Sequence, residues 1–260
     1  MKTPLGQNFL IDESVAERIA KSANLLGANV LEIGPGKGIL TKYLARYGRR
    51  VLAIEIDPHI AKSCDSKIKQ WGLEKKAKVI LNDILKINLP KLTGENNFQS
   101  YKVVANLPYY ITSKIIRLFL ETKYPPQEMI LMVQKEVGER IVALDGKESI
   151  LSISVKFYAD PEILFYVPKE NFNPIPEVDS VVIKIIRKKN IPDVDIKRFF
   201  SLIKAGFSAK RKMLVNNLAN GLHVPKEKIT EIIKKIGLKP DIRAQELKVR
   251  DWLRLYGEWF

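Results

Sequence analysis

Short apolar runs alternate with amphipathic stretches over the first two thirds of the chain. The runs at residues 30–33, 51–54, 79–81 and 103–105 have the length and composition of buried strands. The alternation continues with a predicted helix over 112–120, a strand over 129–133 and a helix over 136–143. This pattern is typical of a parallel sheet covered by helices and predicts a doubly wound α/β fold.

The pattern changes toward the C-terminus. Residues 150–157 predict another helix, and residues 162–167 and 180–186 predict two late strands that pair antiparallel at one sheet edge. The charged segment 187–193 contains a proline and predicts a linker. Beyond it the period is helical throughout, over residues 196–205, 209–219, 226–236 and 249–256. We therefore predict an α/β domain over 1–187 and a small all-helical domain over 188–260.

A glycine-rich turn follows the first strand of the predicted sheet. Residues 34–38 read Gly-Pro-Gly-Lys-Gly and lead into a helical pattern. A dinucleotide loop has glycines at the first, third and sixth positions, whereas the sixth position here is Ile39. Glycines in this register suit a turn that lets a nucleoside lie against bare backbone, as an adenosine-based methyl donor requires. A glycine turn without a ligand is the alternative.

Acidic side chains follow the next two strands. Glu55 comes about 19 residues after Gly36, where a carboxylate can accept both hydroxyls of a ribose. Ile56 offers an apolar face for an adenine, and Asp83 can accept a hydrogen bond from its amino group. Each acid alone is more typical of a solvated strand end. Their order after successive parallel strands favours one shared ligand at the carboxyl ends of the sheet.

The fourth run ends in Asn106-Leu107-Pro108-Tyr109. The Asn106 side-chain oxygen and the Leu107 carbonyl can each accept one hydrogen of an aromatic amino group, while Tyr109 stacks on the base. Accepting both hydrogens favours the tetrahedral nitrogen that can attack a methyl group. The same four residues also make an ordinary strand-to-turn sequence.

Charge and composition narrow the class of partner. The formal charge is +15, and residues 187–260 hold 18 Lys and Arg against 8 Asp and Glu, a net +10 that leaves +5 for the rest. A basic surface of this kind indicates nucleic acid, since no long apolar or amphipathic anchor for a membrane accompanies it. Apolar runs fall short of the ~20 residues that span a bilayer, and residues 1–10 lack the features of a signal peptide. We expect a cytoplasmic protein.

Metal and thiol chemistry have little support. The chain has one cysteine, Cys64, so an internal disulfide is impossible, and its two histidines lie far apart in the sequence. We therefore predict no metal site, no zinc cluster and no Cys/His catalytic pair.

Several segments together resemble the motif series of the ribosomal RNA adenine dimethyltransferases. They are GQNFL at 6–10, EIGPGKG at 32–38, NLPY at 106–109, QKEV at 134–137 and FNPIPEVDS at 172–180. The likeness spans nearly the whole chain. Two further segments, GFSAKRKML at 206–214 with Asn217 soon after, and RAQEL at 243–247, resemble the branch that modifies the small ribosomal subunit. One departure is Tyr110, where bacterial members usually carry Asn.

The resemblance implies a Rossmann-like sheet that binds S-adenosyl-L-methionine and a helical domain that binds rRNA. The donor would be held by a set of residues around the sheet's carboxyl end: Gln7, Asn8, Leu10, Glu32, Gly34, Gly36, Gly38, Glu55, Ile56, Asp83, Ile84 and Asn106. The target adenine would be held by Asn106, Leu107, Pro108 and Tyr109, with Phe172 as the second stacking ring. From the residues alone, the alternative for Phe172 is a core aromatic beneath a proline-rich turn. The basic side chains of Lys210, Arg211 and Lys212 would contact RNA phosphates.

The implied reaction is dimethylation of two adjacent adenosines in a hairpin loop near the 3′ end of small-subunit (16S) rRNA. An immature 30S particle is the implied substrate, and we expect a monomer. Three alternatives stay open: a macrolide-resistance type of methylase that acts on large-subunit rRNA, a DNA adenine methyltransferase, and a non-catalytic assembly or transcription factor with the same fold.

Overall fold

The computed structural model describes residues 8–259, and the contacts divide this part of the chain into two compact units. The first holds the described residues up to Gly138 together with Ala159–Arg187, and the second holds Glu139–Tyr158 and the described residues from Lys188 onward. The segment Glu139–Tyr158 therefore groups with the C-terminal helices, whereas the sequence placed it in the α/β domain. The reason is aromatic packing, since the Phe157 ring lies 4.9 Å from that of Phe199.

Seven strands of the first unit form one sheet in the order β4-β3-β2-β5-β6-β9-β7. Strands β2 to β6 run parallel, while β9 pairs antiparallel with both β6 and β7. The predicted parallel sheet and its late antiparallel pair are confirmed. The strands are β1 Phe9–Leu10, β2 Asn29–Ile33, β3 Arg50–Glu55, β4 Ala77–Leu81, β5 Tyr101–Asn106, β6 Glu128–Gln134, β7 Ala159–Val167, β8 Phe172–Asn173 and β9 Ser180–Arg187.

Helices connect the parallel strands as the hydrophobic pattern predicts. Those that follow strands β2, β3 and β5 bury alanine, leucine, isoleucine or phenylalanine on one side and expose charged residues on the other. The helices that lie at least partly in the first unit are α1 Glu13–Ser22, α2 Ile39–Tyr47, α3 Pro58–Gln70, α4 Leu89–Glu95, α5 Thr112–Glu121 and α6 Lys135–Val142.

The sheet register brings the carboxyl ends of its central strands to one edge. Ile33 at the end of β2 lies opposite Ile54 of β3, and Asn106 at the end of β5 lies opposite Met132 of β6. The chain then leaves β3 through a fixed turn, because Asp57 accepts hydrogen bonds from the backbone N–H groups at the start of α3 and Pro58 occupies the first helical position.

A separate two-stranded sheet joins two segments that are far apart in the sequence. Strand β1 pairs antiparallel with β8, which places Leu10 opposite Phe172 and Phe9 opposite Asn173. Leu10 and Phe172 are both buried in the hydrophobic core of the first unit. This pairing fixes the N-terminal described residues against the rest of the first unit.

The second unit is helical, as predicted. Its helices are α7 Ile150–Tyr158, α8 Ile196–Gly206, α9 Leu214–Leu222, α10 Lys226–Lys235 and α11 Val249–Trp259. Trp252 is fully buried, with its ring 5.8 Å from that of Phe207. The predicted helix over 209–219 was wrong at its start, since α9 begins at Leu214 and residues 207–213 form a turn. The Asn217 side chain donates to carbonyl groups of this turn, which stabilises it in place of a further helical turn.

Candidate functional site

A cleft opens in the first unit where β2 and β5 end. Its volume is about 940 Å³, including the open space at its mouth. The lining combines the glycine turn, two carboxylates and the residues that follow β5. The lining residues are Asn8, Phe9, Leu10, Glu32, Gly34, Pro35, Gly36, Lys37, Ile39, Leu40, Glu55, Asn106, Leu107, Pro108, Tyr109 and Tyr110.

The glycine turn has a backbone that only glycine adopts freely. The φ angles of Gly34, Gly36 and Gly38 are 65°, 55° and 81°, all in the left-handed region. A Cβ atom on Gly36 would lie 2.9 Å from Cδ1 of Phe9, so the ring packs directly on bare backbone. The Gly34 N–H donates to the Ile54 carbonyl at 2.9 Å, which ties the turn to β3. The turn therefore forms a fixed, open floor for the cleft.

Glu55 reaches the cleft from the end of β3. One carboxylate oxygen accepts hydrogen bonds from the backbone N–H groups of Ile56 at 2.9 Å and Asp57 at 3.0 Å. Burial raises the pKa of the Glu55 carboxyl, and the backbone donors of Asp57, Ile56 and Gly36 oppose that rise. A carboxylate held in this way is oriented before any ligand binds, which suits recognition of a ribose diol.

Glu32 is a second carboxyl at the cleft and lies inside β2. It is 1% exposed, and its Oε2 atom has no hydrogen-bond partner among residues 8–259. Burial raises its pKa to about 8; the nearby Thr41 hydroxyl opposes the rise and the charge of Glu55 adds to it. A buried oxygen without a partner at a cleft wall indicates a group that a ligand completes.

The segment that follows β5 is held from two sides. The Leu107 N–H donates to the Met132 carbonyl at 3.0 Å, which fixes the peptide beside β6. The Tyr109 hydroxyl lies 3.0 Å from the Ser180 hydroxyl at the start of β9. Burial raises the pKa of the Tyr109 phenol, while the bond to Ser180 opposes that rise, so the phenol is neutral at physiological pH. Asn106 and the Tyr109 ring therefore face the cleft on a rigid frame.

Some of the predicted site residues do not line the cleft. Ile56 is 51% exposed, Ile84 is buried, and Asp83 accepts a hydrogen bond from the Leu85 N–H at 2.9 Å at the end of β4. Phe172 is 1% exposed and packs in the core through its pairing with β1, so its ring is not a free stacking surface. Two further predicted residues are not in the lining: Gln7 lies outside the described residues, and Gly38, the last residue of the glycine turn, lies beside Cys64 and Trp71.

Six lining residues were not among the predicted site residues: Phe9, Pro35, Lys37, Ile39, Leu40 and Tyr110. Phe9 covers the glycine turn, and the Lys37 ammonium lies 5.3 Å from the centre of its ring. Tyr110 is 62% exposed at the mouth of the cleft, next to Tyr109. Phe9 lies between Asn8 and Leu10, two residues that the family resemblance did single out, and this position within the motif is the signal that would have identified it.

The predicted RNA-binding residues lie in the second unit. Lys210, Arg211 and Lys212 are exposed in the turn between α8 and α9. This basic turn, residues 207–213, is organised by Asn217, whose amide donates to the carbonyls of Gly206 at 2.6 Å and Ala209 at 3.0 Å. Three cationic side chains are thus presented together on a fixed backbone, as phosphate contacts require.

Replacing Asn217 with Ala removes both of these hydrogen bonds. Asn217 is 2% exposed, so the two carbonyls lose a buried partner, and we expect the free energy of unfolding to fall by about 1–3 kcal/mol. Chemical denaturation measures this change, and hydrogen exchange should rise over residues 207–213. The matched control is Asn220→Ala on the exposed side of α9, which should change neither quantity. Equal effects of the two substitutions would contradict the role of Asn217.

Metal binding and membrane insertion are two further classes of function to compare with the structure. Within residues 8–259, no group of three or more His, Cys, Asp or Glu side chains is arranged to hold a metal ion. None of the helices in that range has both the length and the apolar character needed to cross a membrane.

The sheet order, with a cleft above a glycine turn at the carboxyl ends, is the architecture of the S-adenosylmethionine-dependent methyltransferases. Residues 1–259 match the family model described as ribosomal RNA adenine dimethylase. The chain therefore belongs to the rRNA adenine dimethylase family, and it is an enzyme that uses S-adenosylmethionine as its methyl donor. The family that the sequence motifs resembled is confirmed.

Individual relatives agree with this assignment. The chain is 40% identical to "Ribosomal RNA small subunit methyltransferase A" of Dehalococcoides mccartyi, over 98% of this chain and 87% of the relative. The crystal structure of a dimethyladenosine transferase from Plasmodium falciparum is similar with a TM-score of 0.82 and 27% identity, over 96% of this chain and 97% of the other. The 23S rRNA methyltransferase ErmE gives a TM-score of 0.76 and 27% identity, over 96% and 98%.

Proposed function

We propose that this chain transfers methyl groups to N6 of two adjacent adenosines in a hairpin loop near the 3′ end of small-subunit rRNA. The observation that carries the proposal is the placement of Asn106 and Tyr109 on the same cleft as Glu55 and the glycine turn. The small-subunit substrate is supported by relatives at 38–40% identity that are named small subunit methyltransferases. We further propose an immature 30S particle as the substrate, a monomeric enzyme and a cytoplasmic location.

The donor site is assigned to the glycine turn and its neighbours. Bound S-adenosylmethionine supplies an electrophilic methyl group on a sulfonium. Glu55 accepts hydrogen bonds from the ribose, because its carboxylate is already oriented by backbone donors. Gly34 and Gly36 allow close approach to the backbone, and Phe9 contributes an apolar wall. The unpartnered oxygen of Glu32 in the cleft lining fits a polar ligand. Asn8 and Leu10 complete the wall, and Gln7, Ile56, Asp83 and Ile84 keep their proposed donor-binding roles from the family resemblance.

The target adenine is assigned to the residues after β5. The Asn106 side-chain oxygen and the Leu107 carbonyl accept the two hydrogens of N6, which directs the nitrogen lone pair toward the methyl group. Tyr109 stacks on one face of the base, and each such stack is worth about 1–3 kcal/mol. Pro108 fixes the backbone between these groups. Phe172 reaches the second face only if its ring leaves the core.

The proposed reaction needs positioning more than acid–base chemistry. Asn106 and Leu107 would hold the amine nitrogen in line with the methyl carbon of a bound donor, which would supply the methyl group while its sulfur keeps the electron pair of the broken carbon–sulfur bond. The positively charged product nitrogen then loses its proton readily, so the cleft does not require a strong base. The contribution of the protein is orientation and electrostatic complementarity to the attacking nitrogen.

A methylase of large-subunit rRNA is the nearest alternative, and the similarity to ErmE is the observation that favours it. The test offers labelled donor with purified small or large ribosomal subunits that lack the modification, followed by nucleoside mapping. The proposal predicts dimethyladenosine in small-subunit rRNA. Label in the large subunit would support the alternative, label in duplex DNA would support a DNA methyltransferase, and RNA binding without transfer would support a non-catalytic factor.

The basic turn gives a prediction of its own. Changing Lys210, Arg211 and Lys212 together to Gln should weaken RNA binding and reduce the slope of log affinity against log salt by about 2–3, because each phosphate contact contributes roughly 0.7–0.9. Donor affinity should not change. The matched control changes the exposed Lys75, Lys76 and Lys78 to Gln, with the same loss of charge. An equal effect of the control on RNA binding would show that RNA affinity depends on the net charge of the protein and not on contacts made by this turn.

A further inference from the structure

Glu32 is a buried carboxyl group in the lining of the cleft, and its protonation state sets the charge of that part of the cleft. Glu32 lies in the middle of the cleft wall, is 1% exposed, and has one oxygen without a hydrogen-bond partner among the described residues. No ion pair to Glu32 is formed by a Lys or Arg in the described part of the chain. An unpaired carboxylate in such a place is strongly unfavourable, so the neutral acid is the stable form in the free protein.

The groups that surround Glu32 reinforce this preference. Glu55 on the neighbouring strand carries a negative charge that disfavours a second one, and the buried Cys64 thiol of α3 has a pKa of about 12, so it offers no countercharge of either sign. The Thr41 hydroxyl of α2 is the one nearby group that favours the anion. The pKa of Glu32 is about 8 as a result, so the protonated form predominates at pH 7.

We propose that Glu32 acts as a proton-coupled sensor of the donor's positive charge, releasing its proton to solvent when the cationic donor enters the cleft. The donor brings a sulfonium and an ammonium group, which replace the missing countercharge and favour the anion. The net step is an exchange of one proton for one ligand cation, with no other bond made or broken. The inference deepens the proposed function and rests on the donor site assigned there.

This coupling makes donor affinity depend on pH. A group that loses its proton on binding makes affinity rise with pH, by at most about tenfold per pH unit, and the rise ends near the pKa of the free protein. For Glu32 the affinity for S-adenosylmethionine should therefore increase between pH 6 and pH 8 and level off above it. A neutral analogue that lacks the cationic end, 5′-methylthioadenosine, should bind without this dependence.

Calorimetry in two buffers of different ionisation enthalpy counts the protons directly. With the full chain at pH 7, we expect S-adenosylmethionine to release up to about one proton from Glu32. Glu32→Gln keeps the shape but cannot ionise, and it should remove this release; any proton that persists in the variant comes from the ligand itself. Infrared difference spectra should show a protonated carboxyl band that disappears on donor binding in the unmodified protein and is missing in Glu32→Gln.

Two further variants keep the test decisive. Thr41→Val removes the one group that favours the anion, so the pH at which affinity levels off should move upward. Glu13→Gln changes an exposed carboxylate of the same unit and should leave proton release unchanged. Donor binding with equal proton release in the unmodified protein and in Glu32→Gln would overturn the coupling and leave the proposed function intact. Failure of the unmodified protein to bind the donor would overturn both.

Discussion

Replacing Asn106 with Ala is expected to abolish methyl transfer while leaving donor affinity nearly unchanged. The substitution removes the side-chain oxygen that accepts an N6 hydrogen, and the loss of one such preorganised contact lowers turnover by about 10²–10³-fold. The backbone of Asn106 keeps its place opposite Met132, so the sheet and the glycine turn are not disturbed. Single-turnover transfer of label to small-subunit rRNA and calorimetric titration with S-adenosylmethionine measure the two quantities separately.

A matched asparagine on the same sheet controls for this result. Asn29 begins β2 at the opposite end of the sheet, and its side chain lies 3.4 Å from the Ser100 carbonyl. Asn29→Ala should leave transfer unchanged. Near-normal turnover in Asn106→Ala would contradict the role assigned to the side chain. A loss of donor affinity that parallels the loss of turnover would show that Asn106 acts on the cofactor and not on the target base.

Replacing Gly36 with Ala is expected to weaken donor binding by about fivefold to thirtyfold. The φ angle of 55° disfavours any residue with a Cβ atom, at about 1–2 kcal/mol, and the new methyl group would lie 2.9 Å from the Phe9 ring. Either the turn or the ring must shift, and both line the cleft. An energy of 1.4 kcal/mol corresponds to a factor of ten in affinity, which gives the expected range. Titration with S-adenosylmethionine measures it.

The control substitution introduces the same kind of backbone strain at a glycine that does not line the cleft. Gly72 has a φ angle of 66°, and nothing lies within 4 Å of the position of its Cβ atom. Gly72→Ala should lower the free energy of unfolding by a similar amount and leave donor affinity unchanged. If both variants bound the donor equally well, the glycine turn would not be the floor of the donor site.

The sequence predicted the parts of the fold that depend on local pattern. The apolar runs and their order defined the parallel strands, and the strand ends placed Glu55 and Asn106 at one edge. Glycine spacing predicted the turn, whose three glycines have left-handed backbones in the structure. These features follow from hydrophobic periodicity and backbone conformation, both of which depend on residues that are close together in the sequence.

Features that depend on distant pairing were harder to predict. Phe172 was predicted to be a stacking ring. Its strand, β8, pairs with β1 at residues 9–10, and the ring is therefore buried in the core. The same pairing places Phe9 on the glycine turn, which is remote from it in the sequence. Residues 209–213 were predicted as the start of a helix because their period is helical, and the hydrogen bonds of Asn217 stabilise a turn there instead. In each case a contact between remote segments overrides the local signal.

The central claim is that the Asn106 side chain and the Leu107 carbonyl present an adenine nitrogen to the donor's methyl carbon. The most direct measurement is a crystal structure of the protein with S-adenosylmethionine bound. We predict that its methyl group points across the cleft toward the Asn106 side-chain oxygen, with the ribose on Glu55 and room beside Tyr109 for a base. A methyl group directed away from Asn106, or one sealed behind packed side chains, would contradict the account.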